Sequence, residues 1–202
     1  STTIRYCRNI ARGIVSAIRQ KKTQMLVLGW HGKPSKGIFN IGATVDPIIE
    51  QTPCDVVVMK NCGGNKTFDT ILVPVAGGPN SAYALEIALI MADSDETIVT
   101  AFTIETGGRT FDIDQFLDIQ AERLKIPRKR FKAKSIKAKS TVLAILKESA
   151  KHDLMVLGTT NKPMIVQIAK QSLPEKIACR CKKPLIMVKK GQGVRSWIKR
   201  WI

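Results

Sequence analysis

The segment Gly29-Trp30-His31-Gly32-Lys33-Pro34-Ser35-Lys36-Gly37-Ile38-Phe39-Asn40-Ile41-Gly42-Ala43-Thr44 carries residue types and spacings that could do chemistry. It follows a short apolar run and opens a helical pattern. A glycine at a strand end and another at a helix start let backbone N–H groups approach phosphate oxygens, and the helix N-terminus adds partial positive charge. A polyphosphate is the ligand suited to that arrangement. Glycines at strand ends are equally ordinary punctuation, so spacing alone leaves both readings open. Trp30 is expected to pack against the loop, and a loop histidine such as His31 more commonly faces solvent than a phosphate. Catalysis finds little support, because the two histidines, His31 and His152, lie near no credible Ser or Cys nucleophile in sequence. No carboxylate pair has metal-ligand spacing, and the chain reads as non-enzymatic.

The elements that must position this segment follow from periodicity. Ile10, Ile14, Ala17 and Ile18 have helical spacing, and Met25-Leu26-Val27-Leu28 is a continuous apolar run ending at Gly29. A second helical stretch near Ile41 to Glu50 leads into the strand Asp55 to Met59. The pattern then restarts with the strand Ile71 to Val75, a glycine-rich turn whose Ser81 is expected to cap a helix over Ala82 to Ala92, and a strand over Thr97 to Ile104. A helix over Asp114 to Leu124, a polar edge strand over Phe131 to Ile136, a Ser140-capped helix through Ala150, and the strands Leu154 to Leu157 and Leu185 to Val188 complete it. Apolar strands alternating with helices imply a parallel sheet covered on both faces.

One ungapped offset of 129 superimposes Val27-Leu28-Gly29 on Val156-Leu157-Gly158, Lys33-Pro34 on Lys162-Pro163, Ile48 on Ile177 and Lys60 on Lys189. By that offset the counterparts of Ile71 to about Ile136 fall before Ser1 or within its first few residues. The expected organisation is one and a half tandem units. Residues 1–62 form the C-terminal half of a first domain, 63–190 a second domain, and 191–202 a basic tail with tryptophans.

The pattern Gly29-x2-Gly32-x9-Gly42 with a following hydroxyl, placed between an apolar strand and Pro53-Cys54-Asp55-Val56-Val57-Val58, resembles the nucleotide-binding signature of the universal stress protein family. Ile71-Leu72-Val73-Pro74-Val75 with Gly78-x2-Ser81 resembles the opening of a second such domain, so the resemblance runs from about Arg5 to Lys189. It implies a Rossmann-like α/β fold with a parallel five-stranded sheet and helices on both faces. Such domains dimerise, often through the last strand, and some bind ATP. The implied nucleotide-binding residues are Gly29, Gly32, Gly42 and Thr44, with Ala43 standing where the family has its hydroxyl. The second unit departs further. Ala76 replaces the family's Asp, and the offset turns Gly32 into Asn161 and Gly42 into Gln171, so this unit is expected to keep the fold without the site.

The chain has 202 residues, 44% of them hydrophobic, with a net charge of +17, which excludes disordered and collagen-like classes. No apolar run is long enough to cross a membrane. Five cysteines at irregular spacing suggest reduced thiols; Cys179-Arg180-Cys181 lacks a second pair to complete a metal site. The basic run from Arg123 to Lys139 has Phe131 as its one aromatic, so the stacking platform of single-strand binders is missing and nucleic acid is not expected as a partner. Trp197 and Trp201, four apart beside Arg195, Lys199 and Arg200, suit an anionic membrane surface.

The resemblance then implies a sensor of an adenine nucleotide, ATP or a related messenger, forming the cytosolic C-terminal region of an amino-acid, cation or chloride transporter whose transmembrane domain belongs to the same polypeptide. Its location would be cytoplasmic and membrane-associated, with homodimer or intrachain tandem pairing. The alternative is a free-standing tandem universal stress protein that binds ATP.

Overall fold

Alternate residues of the central strands feed two different cores, which is why these strands are apolar throughout. The computed structural model describes residues 2, 4, 6–30, 45–60, 68–92, 94, 97–105, 111–159 and 173–191. Its strands are β1 (Met25–Trp30), β2 (Asp55–Lys60), β3 (Thr70–Pro74), β4 (Ile98–Glu105), β5 (Phe131–Lys137), β6 (Leu154–Gly158) and β7 (Leu185–Lys189). The helices are α1 (Ile10–Lys21), α2 (Val45–Gln51), α3 (Gly78–Met91), α4 (Ile113–Leu124), α5 (Thr141–Ser149) and α6 (Leu173–Arg180). Ile71, Val73, Leu154 and Val156 share one core with Leu85 of α3 and Leu117 of α4. Leu72, Met155 and Leu157 share the other with Ile145 of α5 and Ile177 of α6, and Ile49 of α2 packs against it.

All seven strands form one sheet in the order β1-β2-β7-β6-β3-β4-β5. The expected α/β architecture holds, with five strands, β5-β4-β3-β6-β7, parallel and contiguous. β1 and β2 are parallel to each other but join this group through an antiparallel ladder between β2 and β7. In that ladder Val58 lies opposite Met187, which stands 129 residues after it. A local two-fold relation therefore runs through this pair.

Two lysines close the same seam from opposite sides. Lys60, at the end of β2 and only 5% exposed, donates to the carbonyls of Ala178 (2.7 Å) and Cys181 (2.9 Å) at the C-terminus of α6. Its ammonium also lies 5.2 Å from the centre of the Trp30 ring. Lys189, at the end of β7, donates to the carbonyls of Ile49 and Thr52 at the C-terminus of α2. Each acceptor in the first pair is the residue 129 positions after its counterpart in the second, as Lys189 is to Lys60. A cation is favoured at this end of a helix, where backbone carbonyls lack helical partners.

The helix over the β3 end begins earlier than its sequence suggests. α3 starts at Gly78 with Pro79 in its first turn, and Ser81, expected as the cap, lies inside it and accepts from the Ala76 N–H at 3.3 Å. Pro79 has the fixed φ that suits a first turn, and Gly77 takes the φ of +79° that lets the chain enter it. Ser140 does cap α5, accepting from the Leu143 N–H, and Asp112 caps α4 from one residue before the expected start. Asp153 ties β6 to β3, accepting from the Thr70 N–H (3.0 Å) and hydroxyl (2.7 Å).

One face is unevenly clothed. Leu26 and Leu28 pack against the second core, whereas on the opposite face of β1 Met25 is 41% and Val27 55% exposed. Their counterparts 129 residues on, Leu154 and Val156, are both 0% exposed.

Two measurements follow from this packing. Val156→Thr should cost about 2 kcal/mol in urea unfolding, because its hydroxyl would be buried in an apolar core, while Val27→Thr should change stability by less than about 0.5 kcal/mol. The hydrogen bonds from Thr70 hold the Asp153 carboxyl below its ordinary value, against the opposing effect of burial. A lowered folded-state pKa adds stability that is present above the ordinary carboxylate value near pH 4 and is lost as pH falls through the lowered one. Asp153→Asn should therefore lose less stability than wild type between about pH 5 and pH 2.

Candidate functional site

Of the four residues expected to hold a nucleotide, Gly29 is described, and Gly32, Gly42 and Thr44 lie outside the described residues, as does His31. Gly29 is the penultimate residue of β1, and its own position is exposed. A Cβ built on it would meet no described atom within 4 Å. Trp30 beside it is 8% exposed and packs in the second core under the Lys60 ammonium, which agrees with the packing role expected for it. α2 begins at Val45, immediately after the glycine segment. Its Ile48 is 1% exposed, and its last carbonyls are held by Lys189.

The corresponding strand end in the second half of the chain is closed. Gly158 ends β6, and a Cβ there would lie 2.7 Å from the backbone oxygen of Asn80 and 2.9 Å from its carbonyl carbon. Asn80, in the first turn of α3, donates from its side chain to the Thr159 carbonyl and accepts from the Lys190 N–H at 2.8 Å. It thereby bridges the ends of β6 and β7. In an open α/β sheet, ligands enter where strand order reverses, here between β3 and β6. Asn80 occupies that place.

Beside it the seam continues into a second polar cluster. The Lys190 ammonium pairs with Asp55 at 2.8 Å and lies 4.5 Å from the centre of the Tyr83 ring. Burial pushes the Tyr83 phenol well above its usual range, with the Asp55 charge acting in the same direction. A groove of about 410 Å³ between α3 and α4 is lined by Tyr83, Phe116 and Lys190 among others.

Groups of catalytic type are engaged structurally. His152 is buried, its Nδ1 3.0 Å from the Glu148 carbonyl. Burial raises the Cys54 thiol above its ordinary value, which suppresses its thiolate. Among the described residues no group of three His, Cys, Asp or Glu is placed to hold a metal. The basic run is largely matched by acids: Arg128 pairs with Asp114 and Asp118 at 2.7 Å each, Arg123 with Glu86 and Lys134 with Glu148. Phe131 is 3% exposed and offers no stacking face. The tail with Trp197 and Trp201 lies outside the described residues.

Sequence reasoning missed three residues that shape this region. Asn80 read as part of a turn, and no local signal marks it as a bridge. Lys60 and Lys189 stood out only as one more match at the 129 offset, although that match was the signal available.

Residues 1–60 match the model of the Universal stress protein family. That match ends where β2 ends. Comparison with curated protein sequences gives no match. Among solved structures, the fold is similar to a universal stress protein from Archaeoglobus fulgidus DSM 4304, with a TM-score of 0.65 and 17% identity over 90% of this chain. The chain covers 66% of that protein, just under two thirds of its length. A functionally unknown protein from Pseudomonas aeruginosa PAO1 has a TM-score of 0.58 at 12% identity, covering 95% of this chain and 72% of its own. A universal stress protein crystallised in complex with cAMP has a TM-score of 0.51 at 19% identity, covering 61% of this chain and 98% of its own. The chain thus carries a universal stress protein-family domain in residues 1–60, on a fold it shares with universal stress proteins.

The two strand-end glycines should respond oppositely to an added methyl. Gly158→Ala is expected to cost about 1–3 kcal/mol in chemical denaturation, because the obstruction is backbone and cannot rotate away. Gly29→Ala should stay within about 0.5 kcal/mol of wild type.

Proposed function

We propose that this chain is a non-catalytic sensor module of universal stress protein type, built from one and a half tandem units. Its first unit holds an adenine nucleotide at Gly29, Gly32, Gly42 and Thr44, and its second unit keeps the fold without the site. The contrast between the two strand ends carries the reading. Gly29 is open and lies inside the segment that the family model matches, while Gly158 is packed on the Asn80 backbone. The cAMP complex of a structural neighbour supports an adenine nucleotide as the ligand class.

The tandem organisation draws support from the seam, where Val58 faces its own counterpart and the two lysines exchange helices. The bare face of β1 supports a first unit completed by further polypeptide, since Leu154 and Val156 are covered where Met25 and Val27 are not. In our reading that polypeptide continues into the membrane domain of a transporter for an amino acid, a cation or chloride. This module is then its cytoplasmic C-terminal region, with the Trp-containing tail on the anionic membrane surface and no nucleic acid partner. No helix among the described residues is long and apolar enough to cross a membrane, so the reading places any span elsewhere in the polypeptide. The likeness to a universal stress protein over 90% of this chain favours a second reading, a free-standing tandem protein that binds ATP.

Titration calorimetry with ATP and with cAMP tests the site. Wild type should bind at least one of them, Gly42→Val should weaken that binding by about 100-fold or more, and Gln171→Val should leave it unchanged. Equal binding by wild type and Gly42→Val would remove the assignment. Fractionation of the source cells separates the two contexts: a large polypeptide released from membranes only by detergent supports the transporter, and a soluble one supports the free-standing protein.

A further inference from the structure

We infer that Lys189 is a positioning residue for the first unit's nucleotide site, supplied across the seam by the second unit. This inference rests on the nucleotide reading given above and assigns the site a means of communication. The glycine segment opens into α2, a helix of only seven residues. Helices this short are not stable by themselves, so what holds them decides whether their first turn is formed. α2 is held from within its unit by Ile48, which is 1% exposed, and from outside it by the Lys189 ammonium on the carbonyls of Ile49 and Thr52. A cation at the C-terminus favours the same helix dipole that presents a positive N-terminus to a phosphate. The two ends of α2 are therefore coupled. A ligand that orders its first turn strengthens the grip of Lys189, and loss of that grip weakens the ligand. Coupling of this kind is reciprocal between the two units.

The molecule contains its own control. Lys60 makes the mirror-image contacts, gripping the end of α6 through Ala178 and Cys181, and α6 follows the segment in which Asn161 and Gln171 replace the glycines. Removing either ammonium deletes the same kind of contact from the same seam. Only one of the two removals should reach the nucleotide.

The experiment compares Lys189→Met with Lys60→Met, since methionine keeps an unbranched apolar stem while removing the charge and its donors. With ATP or cAMP, whichever wild type binds, Lys189→Met should weaken binding about tenfold or more, and Lys60→Met should stay within about threefold. Equal weakening by both variants, or none by either, would overturn the inference. Hydrogen exchange without nucleotide supplies a second readout. Lys189→Met should speed exchange in α2 and leave α6 unchanged, and Lys60→Met should do the reverse; changes confined to the mutated lysine's own unit would also overturn it. Should either Met variant fail to fold, glutamine at the same position keeps N–H donors without the charge, and the same comparisons decide. If wild type binds neither nucleotide, the nucleotide reading fails, the inferred effect on the site falls with it, and exchange alone decides whether the crossed grip exists.

Discussion

A lysine ammonium removed from water needs carbonyl oxygens, and the end of a helix has carbonyls that need donors. At the β2–β7 seam these two requirements meet twice, in opposite senses. Lys60 could not remain charged at 5% exposure without the Ala178 and Cys181 carbonyls and the Trp30 ring around it. Those carbonyls belong to a helix that packs on the same core as the strands it faces. The antiparallel ladder, the placement of α2 and α6 and the burial of Trp30 are consequently fixed together. Sliding β2 along β7 would carry both lysines off their helices at once. The seam thus has one favoured register, centred on Val58 and Met187.

Around this symmetric seam the two halves differ in what their strand ends can accept. In the second half, Asn80 uses its backbone to fill the space beside Gly158 and its side chain to join β6 to β7, so a binding crevice has become a packed corner. In the first half, the equivalent glycine faces no described atom. Symmetry in the framework with asymmetry at the sites suits a module in which one half reads a ligand and the other relays or anchors the response. The short α2 and the long-range contact from Lys189 give that division a physical basis.

The two edges of the sheet are also unlike. β5 carries exposed Lys132 and Lys137, charges that disfavour addition of another strand. β1 has no such protection and presents Met25 and Val27 instead. An edge of that character is normally covered, and the covering that β6 receives from β3 and α3 indicates the form it takes.

The sequence by itself determined the succession of strands and helices, because the apolar runs and helical spacings that encode them are local. It also determined the glycine segment and the 129-residue offset, since both are patterns of residue identity. The start of α3 escaped it by a few residues because Pro79 and Gly77 act through backbone geometry rather than periodicity. Only the tertiary structure decided how the halves meet. Val56 to Met59 and Leu185 to Val188 are apolar strands that could pair within one chain or between two, and nothing local encodes the partner or its direction. The acceptors of Lys60 and Lys189 lie 118 to 140 residues away in sequence, and Asn80 meets Thr159 across 79. Such contacts form because packing brings carbonyls, ammonium groups and a crevice to the same place, and no short window of sequence contains both members of any of them.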